Sequence, residues 1–279
     1  MKKLNEYIEC KLKKFKNLGL ENPLQEIRYI LKEILGISLE DQIFKKEIVI
    51  KKNEIFELEK VFQERQKRKP LSKIFKKAYF RDIILSVDEH TFSPRIDSEV
   101  LIDVLMQNNN DVRNILELGT GTGALSISLL KHLKTAKSLV TDISKEAIYI
   151  AKKNAIFNNT YNQMQFVCCD WLSCFNNLNF DILISNPPYI KRSEIDFLDD
   201  EVKKYDPLIS LDGGYNGLAA YKEILESIKK IGKKNLLVLF EIGFDQATPV
   251  NNMMQKYGFN KIQIFNDYCN LPRCILGKT

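Results

Sequence analysis

The fold is decided by one stretch of the chain, Asn114-Ile-Leu-Glu-Leu-Gly-Thr-Gly-Thr-Gly123. Its apolar first half predicts a buried strand, its second half is a glycine-rich loop, and an apolar helix pattern from Leu125 to Leu130 follows directly. Strand, glycine loop and helix in this order form a nucleotide-binding type of turn, because glycines let a ligand approach the backbone. The stretch therefore predicts an α/β domain.

The next two strands each end in residues suited to a nucleoside. The strand Ser138–Thr141 ends in Asp142, whose carboxylate can accept hydrogen bonds from ribose hydroxyls. The strand Gln165–Cys168 leads to Asp170 and Trp171, a carboxylate and a ring that can meet the edge and face of an adenine. Core packing is an equal possibility for Trp171 taken alone. Because Ala124 completes the relaxed dinucleotide fingerprint, a nicotinamide or flavin cofactor stays open at this point.

A fourth strand, Phe180–Ser185, must stop before Pro187 and Pro188, which cannot extend it. The side-chain oxygen of Asn186 and the carbonyl of Pro187 can together accept both hydrogens of a planar –NH2 group. Tyr189 adds a flat face against which an amide or a nucleobase can rest. A plain Pro-Pro turn is the alternative. However, four consecutive strands place candidate ligand contacts at their carboxyl ends, where open α/β sheets bind ligands, and this favours a site.

The chemistry of these residues favours S-adenosylmethionine over NAD as the cofactor. A nicotinamide enzyme needs a hydride path, and no acid–base group accompanies the glycine loop. A methyl sulfonium is already activated, so the enzyme must mainly align a nucleophilic nitrogen and exclude water. Acceptors at Asn186 and Pro187 would orient an amide nitrogen and favour the positive charge that develops on it.

The rest of the chain divides into three predicted parts. Residues 1–75 show helical periodicity and cap signals at Asn22 and Gly36, which predict a small helical bundle. Residues 76–92 are predicted to form a β-hairpin linker, with the alternating pattern running from Phe80 to Phe92. Residues 93–279 form the larger domain. In it we expect an acidic irregular segment at 194–201, a loop at 212–217 that folds over the site as a lid, and three more strands near 236–240, 261–265 and 274–276.

Composition sets the remaining expectations. Residues 1–81 carry 21 Lys/Arg against 12 Asp/Glu (+9), whereas residues 82–279 carry 21 against 24 (−3). We interpret the basic run 65–69 as a solvated helix end, with contact to RNA or an acidic protein as the alternative. No apolar run approaches a membrane span, and the six cysteines lack metal-ligand spacing, so we expect no metal site, reduced and mostly buried thiols, and a cytoplasmic protein with no membrane partner.

Together these motifs resemble a known family. The combination of Glu117–Gly123, Asp142, Asp170-Trp171 and Asn186-Pro187-Pro188-Tyr189 is similar to that of class I S-adenosylmethionine-dependent methyltransferases. More narrowly, it resembles the HemK/PrmC family, which methylates the glutamine of the Gly-Gly-Gln motif in peptide chain release factors. The likeness extends to the helical first domain, Pro94–Glu99, Asp212–Leu218, Glu241–Gly243 with Gln246, and Asp267–Arg273.

The resemblance implies a Rossmann-like, seven-stranded, mostly parallel sheet with a small N-terminal helical bundle and a hairpin linker. It also implies a role for each motif. The cofactor would be held by Gly119, Thr120, Gly121, Thr122, Gly123, Asp142, Asp170, Trp171 and Asn186. The substrate glutamine would be held by Asn186, Pro187, Pro188 and Tyr189, of which Asn186, Pro187 and Tyr189 would be catalytic. The chain departs from the family pattern at Pro70–Lys76, which lacks a tyrosine and a glycine, and at Ile96, where proline is usual.

Two other functions are weighed against transfer to a release-factor glutamine. An N6-adenine methyltransferase acting on RNA or DNA would use the same four-residue turn on an exocyclic amine, and the basic first domain is compatible with it. The basic run has no interleaved aromatic residues for stacking bases, and the acidic larger domain should repel a nucleic-acid backbone, so nucleic acid is not the favoured substrate. A non-catalytic binding module would leave the glycine loop and the Asn186 turn without a purpose.

Overall fold

The computed structural model describes residues 1–20, 22–45, 47–108, 111–177, 179–232 and 234–279. The chain separates into two compact units, Met1–Phe75 and Lys76–Thr279. Within the described residues, no helix has the length and apolar character that crossing a bilayer requires.

The first unit is helical, as predicted. Its helices are α1 (Leu4–Lys16), α2 (Pro23–Leu35), α3 (Leu39–Phe44), α4 (Lys52–Gln66) and α5 (Leu71–Phe75), with two short strands, β1 (Lys2–Lys3) and β2 (Val49–Ile50). Pro23 starts α2, and Gly36 ends it with φ at +68° while its N–H bonds to the carbonyl of Lys32. Ser38 accepts a hydrogen bond from the Asp41 N–H and so begins α3.

Charged side chains are buried in this unit, which the sequence analysis did not anticipate. Arg65 opens the basic run that was interpreted as solvated, but its guanidinium is buried and forms a bidentate pair with Glu26, at 2.6 and 2.8 Å. Lys11 is also buried and pairs with Glu59. For Arg65 the prediction of a solvated helix end is therefore wrong, because a matching carboxylate on α2 makes burial of the guanidinium tolerable.

The predicted hairpin comprises β3 (Lys77–Phe80) and β4 (Ile83–Ser86), a shorter and earlier segment than the Phe80–Phe92 pattern indicated. It belongs to the second unit rather than standing apart as a linker. Phe80, Ile83 and Leu85 are buried in that unit's core, and the Asn154 side chain bonds to both the N–H and the C=O of Ser86. An isolated two-stranded hairpin is only marginally stable, so docking on the sheet unit completes it.

The second unit contains the predicted seven-stranded sheet. Its strands are β5 (Asn114–Leu118), β6 (Lys137–Asp142), β7 (Met164–Cys168), β8 (Ile182–Ser185), β9 (Leu237–Glu241), β10 (Asn260–Asn266) and β11 (Pro272–Lys278). They lie in the order β10-β11-β9-β8-β5-β6-β7, and β11 runs in the direction opposite to that of the other six strands. The fold is therefore a Rossmann-like, mostly parallel sheet.

Helices cover both faces of this sheet. The helices of this unit are α6 (Glu99–Asn108), α7 (Ala124–His132), α8 (Lys145–Phe157), α9 (Asp200–Tyr205), α10 (Ala219–Ile231) and α11 (Ala247–Lys256), and all of them except α9, which has no buried residue, contribute to the core. Neighbouring strand residues alternate between two buried clusters: Ile115 packs in the cluster of α6 and α7, whereas Leu116 packs in the cluster of α10 and α11. This alternation explains why the strands read as continuous apolar runs, since both faces are covered.

Two expectations need correction. The acidic segment 194–201 is partly regular, because Arg192–Phe197 forms a 3-10 helix and α9 starts at Asp200. The cysteines are not mostly buried: Cys10, Cys168, Cys174 and Cys269 are exposed, Cys169 is half-buried, and Cys274 is buried in the core. Cysteine is a frequent core residue, but four of these six lie on the surface of a helix, a strand end or a loop.

Candidate active site

A cavity of about 660 Å³ opens at the carboxyl edge of the sheet. Most of the predicted site residues line it: Gly119, Thr120, Gly121, Thr122, Asp142, Asp170, Trp171, Asn186, Pro188 and Tyr189. Gly123 and Pro187 are not among the lining residues. Gly123 instead caps the start of α7 with φ at +82°, and the ring of Pro187 is buried. The cavity lies within the size range of small-molecule and cofactor sites.

The glycine loop is held against the sheet by its own backbone. The N–H of Thr120 donates to the carbonyl of Thr141 at 2.8 Å, across to the neighbouring strand β6. Gly119 has φ at +66°, and a Cβ added there would lie 3.6 Å from the indole of Trp171. A side chain at Gly119 would be strained at this φ, and its Cβ would pack directly against the indole.

Asp142 ends β6 and ties the glycine loop to the next turn. Its carboxylate accepts from the Gly121 N–H at 2.8 Å and from the Ser144 N–H at 2.9 Å. Burial raises the pKa of Asp142, while the backbone donors oppose that rise. The carboxylate thus has fixed geometry and lines the cavity, where it is available to a ribose.

Trp171 and Asp170 follow β7, as predicted. Trp171 adopts φ of +39°, and its indole N–H donates to Glu223 on α10 at 3.0 Å. A positive φ is costly for a bulky residue, so this conformation is held by its surroundings and marks the position as special. Asp170 is exposed at the cavity wall.

Glu117 lies beside the glycine loop, and the sequence analysis gave it no separate role. It is the fourth residue of β5, and its carboxylate accepts from the Ser126 N–H at 3.0 Å. Burial raises its pKa to about 7, an effect that the bonds from Ser126 oppose. An acidic residue with a raised pKa in a cavity wall is a candidate functional group. The acidic position within an otherwise apolar strand was the available sequence signal.

The turn 186–189 begins where β8 ends, and Ser185 anchors it by donating to the carbonyl of Leu118 at 2.8 Å. The Asn186 side chain donates from Nδ2 to the Ser98 hydroxyl at 3.1 Å, and Ser98 donates to the Glu241 carboxylate at 2.6 Å. The Tyr189 hydroxyl donates to the other oxygen of Glu241 at 3.4 Å. In the sequence, Ser98 and Glu241 stand out only as parts of longer motifs, and no function was predicted for either residue.

Glu241 is almost fully buried at the end of β9. Burial raises its pKa to about 7; the Ser98 hydroxyl and the Arg273 guanidinium oppose that rise, and Asp97 adds to it. The pKa of Tyr189 is raised by burial and by the nearby Glu241. Tyr189 is therefore a protonated hydrogen-bond donor at neutral pH.

The loop predicted to act as a lid is bonded to this turn. The Gly213 N–H donates to the carbonyl of Ile190 at 2.8 Å, and Gln246 donates from Nε2 to the carbonyls of Tyr189 and Gly217 at 2.8 and 3.1 Å. Asp212 lines the cavity. The loop thus forms part of the wall and supports Tyr189 from behind.

Arg95 lies at the cavity. Its guanidinium donates to Asp206 at 2.9 Å, and the Asp206 side chain is fully buried. This pair fixes the segment after α9 against the segment before α6.

Comparison with known proteins agrees with this geometry. Residues 12–75 match the PrmC N-terminal domain, and residues 90–200 match the methyltransferase small domain. The chain is 33% identical over 262 residues to the release factor glutamine methyltransferase of Agrobacterium fabrum, covering 92% of this chain and 90% of that protein. The chain belongs to the release factor glutamine methyltransferase family. A member from Clostridium acetobutylicum is 32% identical and covers 90% of the chain and 88% of its own length.

Longer relatives exist as well. The chain is 35% identical to the bifunctional methyltransferase of Rickettsia typhi but spans only 54% of its length. Among solved structures, the catalytic domain of human Mettl16 in complex with a 3'UTR hairpin superposes with a TM-score of 0.54 at 17% identity, over 91% of this chain and 90% of that one. That likeness supports the fold alone. Family and fold together make this chain an S-adenosylmethionine-dependent methyltransferase, and they confirm the predicted fold class and cofactor.

Proposed function

We propose that this protein transfers a methyl group from S-adenosylmethionine to the side-chain amide nitrogen (N5) of the glutamine in the Gly-Gly-Gln loop of a peptide chain release factor. The observation that carries the proposal is the common cavity. Asn186 and Tyr189, which suit a planar amide, line the same space as the glycine loop, Asp142 and Trp171, which suit the cofactor. The names of the relatives at 33% and 32% identity support the choice of substrate.

The residues on the cofactor side fit an adenosyl group. Asp142 would accept from the ribose hydroxyls, Trp171 would lie against the adenine, and the glycine loop would allow the methionine part to approach the backbone. Thr120, Thr122 and Asp170, which also line the cavity, complete this group, whereas Gly123 caps α7 outside the cavity lining. When bound, the cofactor supplies a methyl carbon already activated by a sulfonium.

The residues on the substrate side would orient the amide. Asn186 Oδ1 would accept one amide hydrogen, while Tyr189 and Pro188 bound the slot. The backbone carbonyl of Pro187 is the proposed acceptor of the other hydrogen, although Pro187 is not among the residues that line the cavity. Acceptors on both hydrogens stabilise the positive charge that grows on nitrogen as the N–C bond forms and the C–S bond breaks. The amide proton then leaves to solvent, so no strong general base is needed.

We further propose that the helical unit recognises the folded partner. It contains a cleft lined by apolar side chains, including Leu12 and Leu24, with Lys16, Arg28 and Lys32 at its margin. Lys16 and Lys32 are exposed. This arrangement suits an acidic surface on a partner protein. We also infer that the enzyme acts in the cytoplasm, where release factors work.

Label transfer tests the reaction. Methyl-labelled S-adenosylmethionine should label an intact release factor, and a factor whose Gly-Gly-Gln glutamine is replaced by glutamate should stay unlabelled. Ribosomal RNA and DNA serve as competing substrates. Label on adenine with none on the release factor would contradict the proposal and support the adenine methyltransferase instead.

A charge-reversal pair tests the cleft. Lys16→Glu with Lys32→Glu should raise KM for the intact release factor about tenfold while leaving kcat for a short Gly-Gly-Gln peptide unchanged. The matched control is Lys2→Glu with Lys13→Glu, which makes the same charge change at exposed lysines outside the cleft. Equal KM values for the two pairs would show that overall charge, and not the cleft, attracts the partner.

A further inference from the structure

Three polar side chains from distant parts of the chain form one hydrogen-bond chain behind the substrate slot. Asn186 Nδ2 donates to Ser98 Oγ at 3.1 Å, and Ser98 Oγ donates to Glu241 Oε2 at 2.6 Å. Ser98 and Glu241 are 5% and 2% exposed, so water cannot readily replace either partner. Buried polar groups of this kind are worth explaining, because burying them is costly unless they serve a purpose.

The sheet register brings the three residues together. Ser185 on β8 pairs with Phe240 on the parallel strand β9, so the next residues of the two strands, Asn186 and Glu241, emerge side by side. Ser98 arrives from the 3-10 helix Ile96–Ser98, just before α6. Glu241 therefore contacts Asn186 through Ser98, and it cannot reach the substrate slot as the reacting group.

The direction of the hydrogen bonds follows from counting protons. An ionised Glu241 can only accept, so it takes the single hydroxyl hydrogen of Ser98. The Ser98 oxygen can then only accept, and the group of Asn186 that faces it must be Nδ2. Asn186 Oδ1 consequently lies on the opposite side of the amide, and in the described part of the chain no donor contacts it.

We propose that Ser98 and Glu241 are positioning residues that fix which end of the Asn186 amide faces the substrate. This proposal rests on the proposed function, in which Asn186 Oδ1 accepts a hydrogen of the substrate –NH2. The opposite orientation would turn the Asn186 –NH2 toward the substrate –NH2, where two donors face each other and no hydrogen bond forms.

Protonation of Glu241 should remove this control. A carboxylic acid can donate to Ser98, which frees the Ser98 hydrogen for Asn186 Oδ1 and allows the amide to turn over. Several titratable or charged groups surround Glu241: Asp97 before α6, Tyr189 after β8, Tyr221 on α10, Asp267 before β11, and Arg273 and Cys274 on β11. Tyr189, Tyr221 and Cys274 have raised pKa values and stay protonated near neutrality, and burial leaves Glu241 with a pKa of about 7. Activity should thus be present above about pH 7 and fall as the pH drops through it.

Kinetics at saturating cofactor and release factor test the effect on catalysis. Wild-type kcat should fall below about pH 7, whereas Glu241→Gln should have a pH-independent kcat over the same range, because glutamine does not titrate and can bond Ser98 in either direction. The Glu241→Gln rate should lie about three- to tenfold below wild type at pH 8 and meet or exceed it at pH 6. If Glu241 only held β9 in place, Glu241→Gln would lower kcat by the same factor at every pH.

Variants of Ser98 and Glu117 distinguish a role in positioning Asn186 from a purely structural role. Ser98→Ala should lower kcat about tenfold with cofactor affinity unchanged, and Ser98→Thr, which keeps the hydroxyl, should restore most of it. Glu117→Gln removes the other buried glutamate with a pKa of about 7. Its kcat should still fall below about pH 7, since Glu117 lies beside the glycine loop and not behind Asn186.

A direct measurement needs no substrate. The side-chain amide NMR signals of Asn186, assigned by their loss in Asn186→Ala, should shift with a midpoint near pH 7 in the wild type and stay constant in Glu241→Gln. Identical titration of these signals in both proteins would overturn the proposal. The proposal would also be overturned if Glu241→Gln and Ser98→Ala methylated the release factor with the wild-type kcat and with the same fall in kcat below about pH 7. If the release factor is not methylated at all, the proposed function fails, and the NMR titration alone decides the hydrogen-bond chain.

Discussion

The two halves of the cavity are built in different ways. On the cofactor side, at the ends of β5, β6 and β7, the contacts of the glycine loop are largely made by backbone, and they join residues 21 apart in sequence: Thr120 N–H to Thr141, and Asp142 to the Gly121 N–H. On the substrate side, at the ends of β8 and β9, the contacts join side chains far apart in sequence. Asn186 and Ser98 are 88 residues apart, and Ser98 and Glu241 are 143 apart.

Because of this difference, the two halves of the cavity should respond differently to pH and to substitutions. The backbone bond from the glycine loop to Thr141 does not titrate, and the loop can serve any chemistry that uses the same cofactor. A slot oriented by a buried carboxylate depends on the ionisation of that carboxylate and on three segments meeting correctly. We therefore expect cofactor-side changes to alter binding and substrate-side changes to alter turnover.

The largest effect is expected for Asn186→Ala, which removes the proposed acceptor of the substrate amide. If that bond tightens in the transition state, kcat should fall about 100- to 1000-fold, equivalent to about 2.7–4 kcal/mol. The Kd of S-adenosylhomocysteine, measured by calorimetry, should stay within about twofold of wild type. Near-normal methylation by this variant would show that the turn is only structural, and the contrast between the halves would disappear.

The second test compares two glycines with nearly the same backbone angle. Gly217 (φ +75°) lies in the loop behind Tyr189, where an added Cβ would overlap the carbonyl of Tyr189 and the side chain of Gln246; Gly232 (φ +74°) ends α10 with nothing within 4 Å of an added Cβ. Gly232→Ala should cost about 1 kcal/mol of unfolding free energy from backbone strain alone. Gly217→Ala should cost about 1–2 kcal/mol more and also lower kcat, because Tyr189 must move.

Chemical denaturation and turnover measured on both glycine variants decide this comparison. Equal losses of stability, with kcat unaffected in both, would mean that the loop does not support the substrate slot.

The same division explains what could be predicted from the sequence. The glycine loop, Asp142, Trp171 and Asn186 were found because each follows an apolar strand directly, and topology brings strand ends together. The seven-stranded, mostly parallel character of the sheet was obtained through the family resemblance and not from periodicity alone, and the order of the strands was not predicted. Hairpin bounds were misjudged because the alternating pattern continues past Ser86, where the chain leaves the ladder.

Residues whose role arises from tertiary contact were missed. Glu241 reads as an acidic residue at the end of an apolar strand, and Ser98 as a turn residue before a helix; only the β8–β9 register joins them to Asn186. Arg65 was misread for the same reason, since its partner Glu26 lies 39 residues away on another helix. A long-range pair leaves no local signal when one sequence is read alone.

On the cofactor side, Asp142→Asn should have a smaller effect than the substrate-side variants, and the effect should fall on cofactor affinity. In the native protein the Asp142 carboxylate accepts hydrogen bonds from the N–H groups of Gly121 and Ser144. The amide of asparagine keeps one acceptor oxygen but places its –NH2 group against one of these two N–H donors. The Kd of S-adenosylhomocysteine should rise about tenfold, while kcat at saturating cofactor should change little. A large fall in kcat with unchanged Kd would contradict the assignment of this half to binding.

The smallest expected effect belongs to Trp171→Phe. Phenylalanine keeps an aromatic face beside Gly119 but loses the indole N–H that donates to Glu223 at 3.0 Å. Glu223 lies at the cavity wall and can bond to water once this partner is lost, so the cost should be limited to a looser ring. We expect the Kd of S-adenosylhomocysteine to rise about threefold with kcat unchanged. Glu223→Gln, which keeps an acceptor for the indole, is the matched control and should stay closer to wild type. If Trp171→Phe lowered kcat more than affinity, the ring would contact the reacting amide as well as the nucleoside, and the boundary between the two halves of the site would have to be moved to include β7.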